Sequence, residues 1–315
     1  MAPNTAMAGR EDRAAGFSVE RMAYAGILAL ALFVRLFALG NAPLSPLEAA
    51  NAWPAWLQAT GQTPVGAATI TPGSASPLFY SGQLLLFWVA GGSDLWARFL
   101  PVVAGVAMVG LAWLLRERLG RSAALALALL MAVDPWLVYF GRLGDGTIFG
   151  LFLGLLALIA LDKARGAGAR GWMWLQVLAV SSGLLVSSGP VGWSMLVVLL
   201  LNGALGGLPH GPWRDPEADT DRNLFELVAL AGGALLLGAT TWLGNPAGLA
   251  MVGTSLGWWL AQLVSGGQDG YPLTWAGIHW VTDQLLVLVF GAVGAVRLLR
   301  GRHHGAHPGR PRTGG

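Results

Sequence analysis

Glu48 and Asp145 are the two carboxylates whose sequence settings suit chemistry, and Arg142 and Arg98 are the cations best placed to serve them. Glu48 stands in APLSPLEAANAWPAW, residues 42–56, just after a strongly apolar run at residues 22–39. Asp145 and Arg142 share GRLGDGTIF, a very short polar turn between two apolar runs. Such a turn holds its charges close to lipid headgroups, where ionisable side chains are functional candidates. A carboxylate there could take a proton from an acceptor hydroxyl. An arginine could hold a phosphate and offset charge on one that departs. The same residues admit a plainer reading, in which Arg142 and Asp145 pair locally and cap the following helix. The elements around them decide whether the two acids meet.

The chain is 55% hydrophobic and 11% charged, with a mean hydropathy of +0.59, whereas globular domains carry about 25% charged residues. So little charge cannot solvate a globular surface, and lipid must cover much of it. The expected fold is an all-α polytopic membrane protein. The net charge of +3 and pI near 9.8 reflect arginine clusters at helix ends, which orient spans and do not suggest nucleic-acid binding. There is no cysteine, so disulfides, thiolate catalysis and Cys-ligated metals are excluded. No phosphate-binding glycine loop or nucleotide motif is present, so no nucleotide cofactor or nucleotide-sugar donor is expected. A divalent metal is neither indicated nor excluded.

Residues 1–21 are polar and read as a cytoplasmic tail, followed by a membrane domain over residues 22–299. Residues 22–39 are long for a signal-peptide core and read as an uncleaved first span, which places Glu48 outside. Residues 40–97 form an external loop, in which Trp53 and Trp56 mark a short interfacial helix at residues 51–60. Residues 77–90 are apolar but fall below the ~17 residues needed to span comfortably. If they crossed, the basic cluster RERLGR at residues 116–121 would lie outside, against the positive-inside rule. If they lie on the surface or re-enter, the cluster is cytoplasmic and Asp145 shares a face with Glu48.

Further spans follow at residues 98–115, 122–140, 147–161, 172–187, 191–206, 224–243 and 280–299, with an external segment at 244–279. The expectation is about eight spans in a plasma membrane, an extracytoplasmic working face and two cytoplasmic termini, ending in a basic disordered tail over residues 300–315. Arg35 and Asp134 are expected near the outer ends of their helices, within reach of water. Asp94 and Asp269 read as solvated. His279 and Asp283 read as surface residues one helical turn apart. His303, His304 and His307 belong to the basic tail, and GAVGAV at residues 291–296 reads as a small-residue packing face.

Four stretches, RLFALGNAPLSPLEAANAW, SPLFYSGQLLLFW, GSDLWARFLPVVAGVAMVGLAWLLRERLG and DPWLVYFGRLGDGTIF, together resemble the GT-C group of membrane glycosyltransferases. The nearest relatives are the family 39 protein-mannosyltransferase-like and aminoarabinose-transferase-like proteins. The resemblance runs over about residues 35–193. It implies a GT-C-like helical bundle with interfacial helices in the first external loop and a polyprenyl-phosphate-linked sugar as donor. It also implies a second acid after an Arg-containing turn, matching Arg142 and Asp145, and a lipid-phosphate region at Pro77 and Tyr80. Two departures stand out. The first acid of the usual Asp-Glu pair, generally the base, falls on Leu47, leaving Glu48; the lysine of a later Lys-Gly pair falls on Ser188, before Gly189.

The resulting expectation is an inverting glycosyltransferase that moves a sugar from a polyprenyl-phosphate donor to an extracytoplasmic acceptor. Glu48 would be the base, Asp145 a second catalytic acid, and Arg142 and Arg98 phosphate contacts. Tyr80, Ser188 and Trp53 would complete the substrate site, with Trp53 able to stack on a sugar ring. The rival is a catalytically silent membrane protein that binds lipid-linked sugar or serves as a subunit in envelope glycan assembly. A transporter fits the even span count but lacks an ionisable relay within the spans.

Overall fold

The computed structural model describes residues 5–62, 76–166, 170–206 and 220–265, which hold twelve helices and no strand. The expected span at residues 280–299, the basic tail, the small-residue face at 291–296 and the histidines fall outside the described residues. The chain divides into two compact units, Met1–Trp259 and Leu260–Gly315. Among the described residues the second unit holds only the end of the last helix.

The first helix, α1 (Thr5–Leu36), begins inside the stretch read as a tail. The next three helices open on the same device. In α2 (Pro46–Ala59), α3 (Pro77–Ala90) and α4 (Asp94–Gly110), a serine precedes the first residue and its hydroxyl accepts an N–H from the first turn. Ser45, Ser76 and Ser93 thereby satisfy donors that a helix start leaves without intrahelical partners. In α2 and α3 a proline follows at the first helical position, where its missing N–H costs nothing. α3 stops at Gly91, whose φ of 79° ends the helix after 14 residues. It is the short apolar helix expected at residues 77–90, and Leu78 donates its N–H to the Ser187 carbonyl at 2.9 Å.

After α4 come α5 (Ala112–Leu119), α6 (Arg121–Val133), α7 (Pro135–Phe140), α8 (Thr147–Arg165), α9 (Gly171–Val186), α10 (Pro190–Gly206), α11 (Thr220–Ala239) and α12 (Ala247–Ser265). α8 is central and packs on α4, α9 and α10, while α11 packs on α9 and α3. Its 19 residues extend roughly 28 Å, about the hydrocarbon thickness of a bilayer. Asp145 therefore lies at one end and Lys163 at the other. Among the described residues, three stretches suffice by length and composition to cross a membrane: Asp94–Leu119, Thr147–Arg165 and Ala247–Val264. α3, α6, α9, α10 and Asn223–Ala239 are apolar but shorter. Large apolar side chains stand exposed along α1, α10 and α11, among them Phe33, Leu200, Leu205 and Phe225. These are the helices of a membrane protein. Small residues set the closest approaches: a Cβ at Gly183 of α9 would sit 2.1 Å from the Ala231 carbonyl of α11.

Arg35 departs from expectation. It is fully buried, with no reach to water, and the cause lies in the break between α6 and α7. Pro135 has no N–H to give the Met131 carbonyl four residues earlier. Arg35 supplies the missing donors, bonding the carbonyls of Met131 at 3.2 Å and Ala132 at 3.1 Å, with a third bond to Ala31 within α1. Asp134 turns the other way and caps α7 through the Leu137 N–H at 2.9 Å. Arg35→Met should leave those carbonyls without partners and cost roughly 2–5 kcal/mol. The check is a lowered thermal midpoint of the purified protein in detergent.

Candidate functional site

The start of α2 carries a capping box, SPLE, over residues 45–48. Ser45 Oγ accepts the Glu48 N–H at 3.4 Å, and Glu48 Oε2 accepts the Ser45 N–H at 2.8 Å. The remaining acceptor sites of Glu48 are also filled. Arg98 Nε donates to Oε1 at 2.7 Å and Nη2 donates to Oε2 at 2.8 Å, a two-pronged ion pair. The Gly144 N–H reaches Oε1 at 2.9 Å. Four bonds occupy a carboxylate that offers about four lone-pair sites.

Arg98 is equally committed. Besides Glu48 it bonds the carbonyls of Leu39, Ala42 and Pro43 at 2.8–3.0 Å. All five guanidinium N–H groups are used. Arg98 therefore has no donor left for a phosphate, which corrects the expectation placed on it. Glu48, expected as the base, is 2% exposed. Burial alone would raise its proton affinity, but Arg98 and the N–H groups of Ser45 and Gly144 outweigh that and hold the carboxyl down at about 2. A carboxylate so saturated is a poor proton acceptor. The pair is a strut between α2, α4 and the chain leaving α1.

The strut positions Asp145. Gly144 is gripped at both ends by α2, its N–H by Glu48 and its carbonyl by Asn51 Nδ2 at 3.1 Å. Asp145 follows directly. Its carboxylate accepts the Thr147 N–H and the Thr147 hydroxyl, both at 3.0 Å, and so opens α8. Gly146 lies under α3, since a Cβ there would come 2.3 Å from the Ser76 side chain. Asp145 stays half-buried. Burial pushes its carboxyl above the ordinary value, the bonds from Thr147 act against this, and the nearby charge of Glu48 adds to the rise. The fold thus brings Glu48 and Asp145 within electrostatic reach and separates their proton affinities.

The other expected residues divide. Arg142 is half-buried and donates from Nη1 to the Val34 carbonyl at 2.7 Å, fastening the end of α1. No Arg142–Asp145 ion pair occurs among the described residues, so the local pairing is not formed. The other side-chain donors of Arg142 have no hydrogen bond among the described residues. Tyr80 is buried and its hydroxyl donates to Gln58. Ser188 is buried too, its hydroxyl bonded to the Leu185 carbonyl at 2.8 Å. Neither presents a free polar group to a substrate. Trp53 does stand open, 59% exposed and stacked on Trp56 at 5.0 Å between ring centroids.

Trp53, Trp56 and Asp94 line a cleft of 220 Å³ whose wall includes Ala97. Asp94 also lines a wider opening with Leu39 and Asn41. It is exposed, as expected, but faces two cavities instead of bulk solvent alone. The Ala97 carbonyl lies against the Gly144 turn, 3.3 Å from where a Cβ would be, so Ala97 stands between the cleft and that turn, and Asp145 does not line the cleft. Among the described residues no group of acidic or histidine side chains could hold a metal ion.

Sequence reasoning overlooked Asn51, Gly144 and Ser76 as positioning groups. Two signals existed: the S-x-x-E pattern marks Glu48 as a helix cap, and the repeated Ser-Pro marks the α2 and α3 starts.

No protein-family model matches the chain, and no curated protein does either. Among solved structures, the chain is similar to the archaeal oligosaccharyltransferase AglB from Archaeoglobus fulgidus, solved with an inhibitory peptide and a dolichol-phosphate. The identity is 16% and the TM-score 0.49. The match covers 89% of this chain and 37% of that one, so the chain spans little more than a third of that protein's length.

Proposed function

We propose that this protein is a membrane glycosyltransferase that moves a sugar from a polyprenyl-phosphate-linked donor to an extracytoplasmic acceptor, with Asp145 as its proton acceptor. The observation that carries this reading is the division of labour between the two acids. Glu48 is saturated and held charged at neutral pH, while Asp145, directly after the Gly144 that Glu48 grips, is half-buried with a raised proton affinity. Pairs of carboxylates whose surroundings push their proton affinities apart are the usual way to set up such chemistry.

In the reaction, the acceptor oxygen attacks the anomeric carbon of the donor. The bond from that carbon to the phosphate oxygen breaks, and polyprenyl phosphate leaves with the bonding pair. The acceptor proton passes to Asp145. Arg142, with donors left over beyond its bond to Val34, is the group proposed to meet the phosphate. Trp53 would stack on the sugar face and Asp94 bond its hydroxyls. The donor class is the one that the resemblance to family 39 transferases implies.

A second reading rests on Leu47. It is 42% exposed and occupies the place where the resemblance puts the first acid, so a silent protein that only binds lipid-linked sugar is the alternative. Purified protein incubated with a panel of polyprenyl-phosphate sugars separates the two. Release of free polyprenyl phosphate, dependent on an acceptor, supports the transferase. Saturable donor binding with no release from any donor supports the silent protein and sinks the proposal.

A further inference from the structure

The face opposite Asp145 holds a second cavity that the proposed chemistry does not use. It has a volume of 330 Å³ and lies where α5, α8 and α9 meet. Three cations line it, Arg118, Lys163 and Arg170, against two acids, Glu117 and Asp162. Four of the five neutralise each other, Arg118 with Asp162 and Lys163 with Glu117, each at 2.6 Å. The Arg170 side chain is exposed and forms no hydrogen bond or ion pair among the described residues; its carbonyl accepts the Trp174 N–H at 3.3 Å, and its charge acts on Glu117 at longer range. Trp174 borders the cavity, with the Lys163 ammonium 5.6 Å from its ring. The cavity therefore offers one unmatched positive charge with paired polar groups around it.

A second, apolar groove of 390 Å³ adjoins it, and Met173 lines both. The groove follows α9 from Met173 to Leu184, roughly 16 Å and about half the hydrocarbon thickness of a bilayer. Leu153, Leu156, Val177, Val180, Leu184 and Leu230 form most of its wall. Its polar members are Ser181, whose hydroxyl is bonded to backbone carbonyls of α9, and Gln176, whose amide is bonded to Glu226 at 2.7 Å.

A soluble anion would use the first cavity and ignore the second, whereas an apolar molecule would do the reverse. An amphiphile with an anionic head and a hydrocarbon tail uses both. We infer that the chain binds one anionic glycerophospholipid here, its phosphate beside Arg170 and an acyl chain along α9. This site lies the length of α8 away from Asp145 and does not depend on the proposed transfer reaction.

The test uses the full purified chain in detergent, titrated with phosphatidylglycerol, phosphatidylcholine or glycerol phosphate. Retained lipid is read by native mass spectrometry and stabilisation by the thermal midpoint. One cation near a headgroup is worth about a fivefold preference, so phosphatidylglycerol should be retained at least that much more tightly than phosphatidylcholine. Arg170→Glu should erase the preference, and Arg170→Gln should reduce it. Because Arg170 is exposed, both variants should keep the unliganded midpoint. Val177→Trp should fill the groove and weaken both lipids. Equal retention of the two lipids by the wild type would overturn the inference, as would a preference unchanged in Arg170→Glu. Glycerol phosphate stabilising as well as phosphatidylglycerol would reduce the site to a soluble-anion pocket and equally overturn it.

Discussion

Glu48→Gln is expected to destabilise the protein by roughly 3–5 kcal/mol at neutral pH, because it leaves the Arg98 guanidinium buried without its counter-charge. Arg98 is 7% exposed and its remaining partners are neutral carbonyls. The effect should depend on pH in a stated direction. Folding lowers the Glu48 carboxyl from 4.5 to about 2. A lowered value means the folded state favours the charged form, so the stabilisation is complete above pH 4.5. It fades as pH falls toward 2, where the folded carboxyl is itself protonated. The wild type and Glu48→Gln should therefore differ by a constant amount above pH 4.5 and converge below it. Thermal midpoints in detergent from pH 3 to 8 would show this. A variant as stable as the wild type at pH 7 would mean the pair is not a strut.

Asp145→Asn should behave in the opposite way. On the proposed reading it should lose about 10²- to 10⁴-fold in transfer rate, the usual worth of a positioned base. Yet it should fold normally. An asparagine oxygen can still accept one bond from Thr147, so α8 keeps its start. The ionised form of Asp145 is disfavoured by burial and by Glu48. With its carboxyl raised on folding, Asp145 stabilises the fold fully only below its ordinary value, and that contribution is lost as pH rises through the folded value. Removing the charge should therefore leave stability at pH 7 unchanged or slightly higher. Rate and thermal midpoint measured on the same preparation check both halves. An active Asp145→Asn variant would remove Asp145 from the chemistry.

Much of this arrangement was legible in the residues. The short helix at 77–90, a helix near Trp53 and Trp56, and the convergence of Glu48 and Asp145 follow from hydropathy, span length and the placement of basic clusters. What composition could not show was which carboxylate would be consumed by structure. That depends on Arg98, fifty residues from Glu48, choosing a carboxylate over solvent or a phosphate, a matter of three-dimensional packing. The SPLE pattern pointed the same way, but a capping box is a local signal and does not reveal a buried ion pair. Arg35 shows the same limit. Pro135 lies inside the stretch read as one span at residues 122–140, and only the fold shows the break there and which side chain satisfies the carbonyls it exposes. Tyr80 and Ser188, taken over from a family pattern, turn out to be satisfied internally by Gln58 and Leu185.

The central claim is that Asp145, and not Glu48, accepts the proton. The pH dependence of polyprenyl phosphate release by the wild-type protein tests it most directly. With Asp145 as base, the rate should fall on the acid side through a midpoint above 3.8, the ordinary value for an aspartate. A rate that holds down to a midpoint near 2, the value for Glu48, would contradict the account and return the base to Glu48.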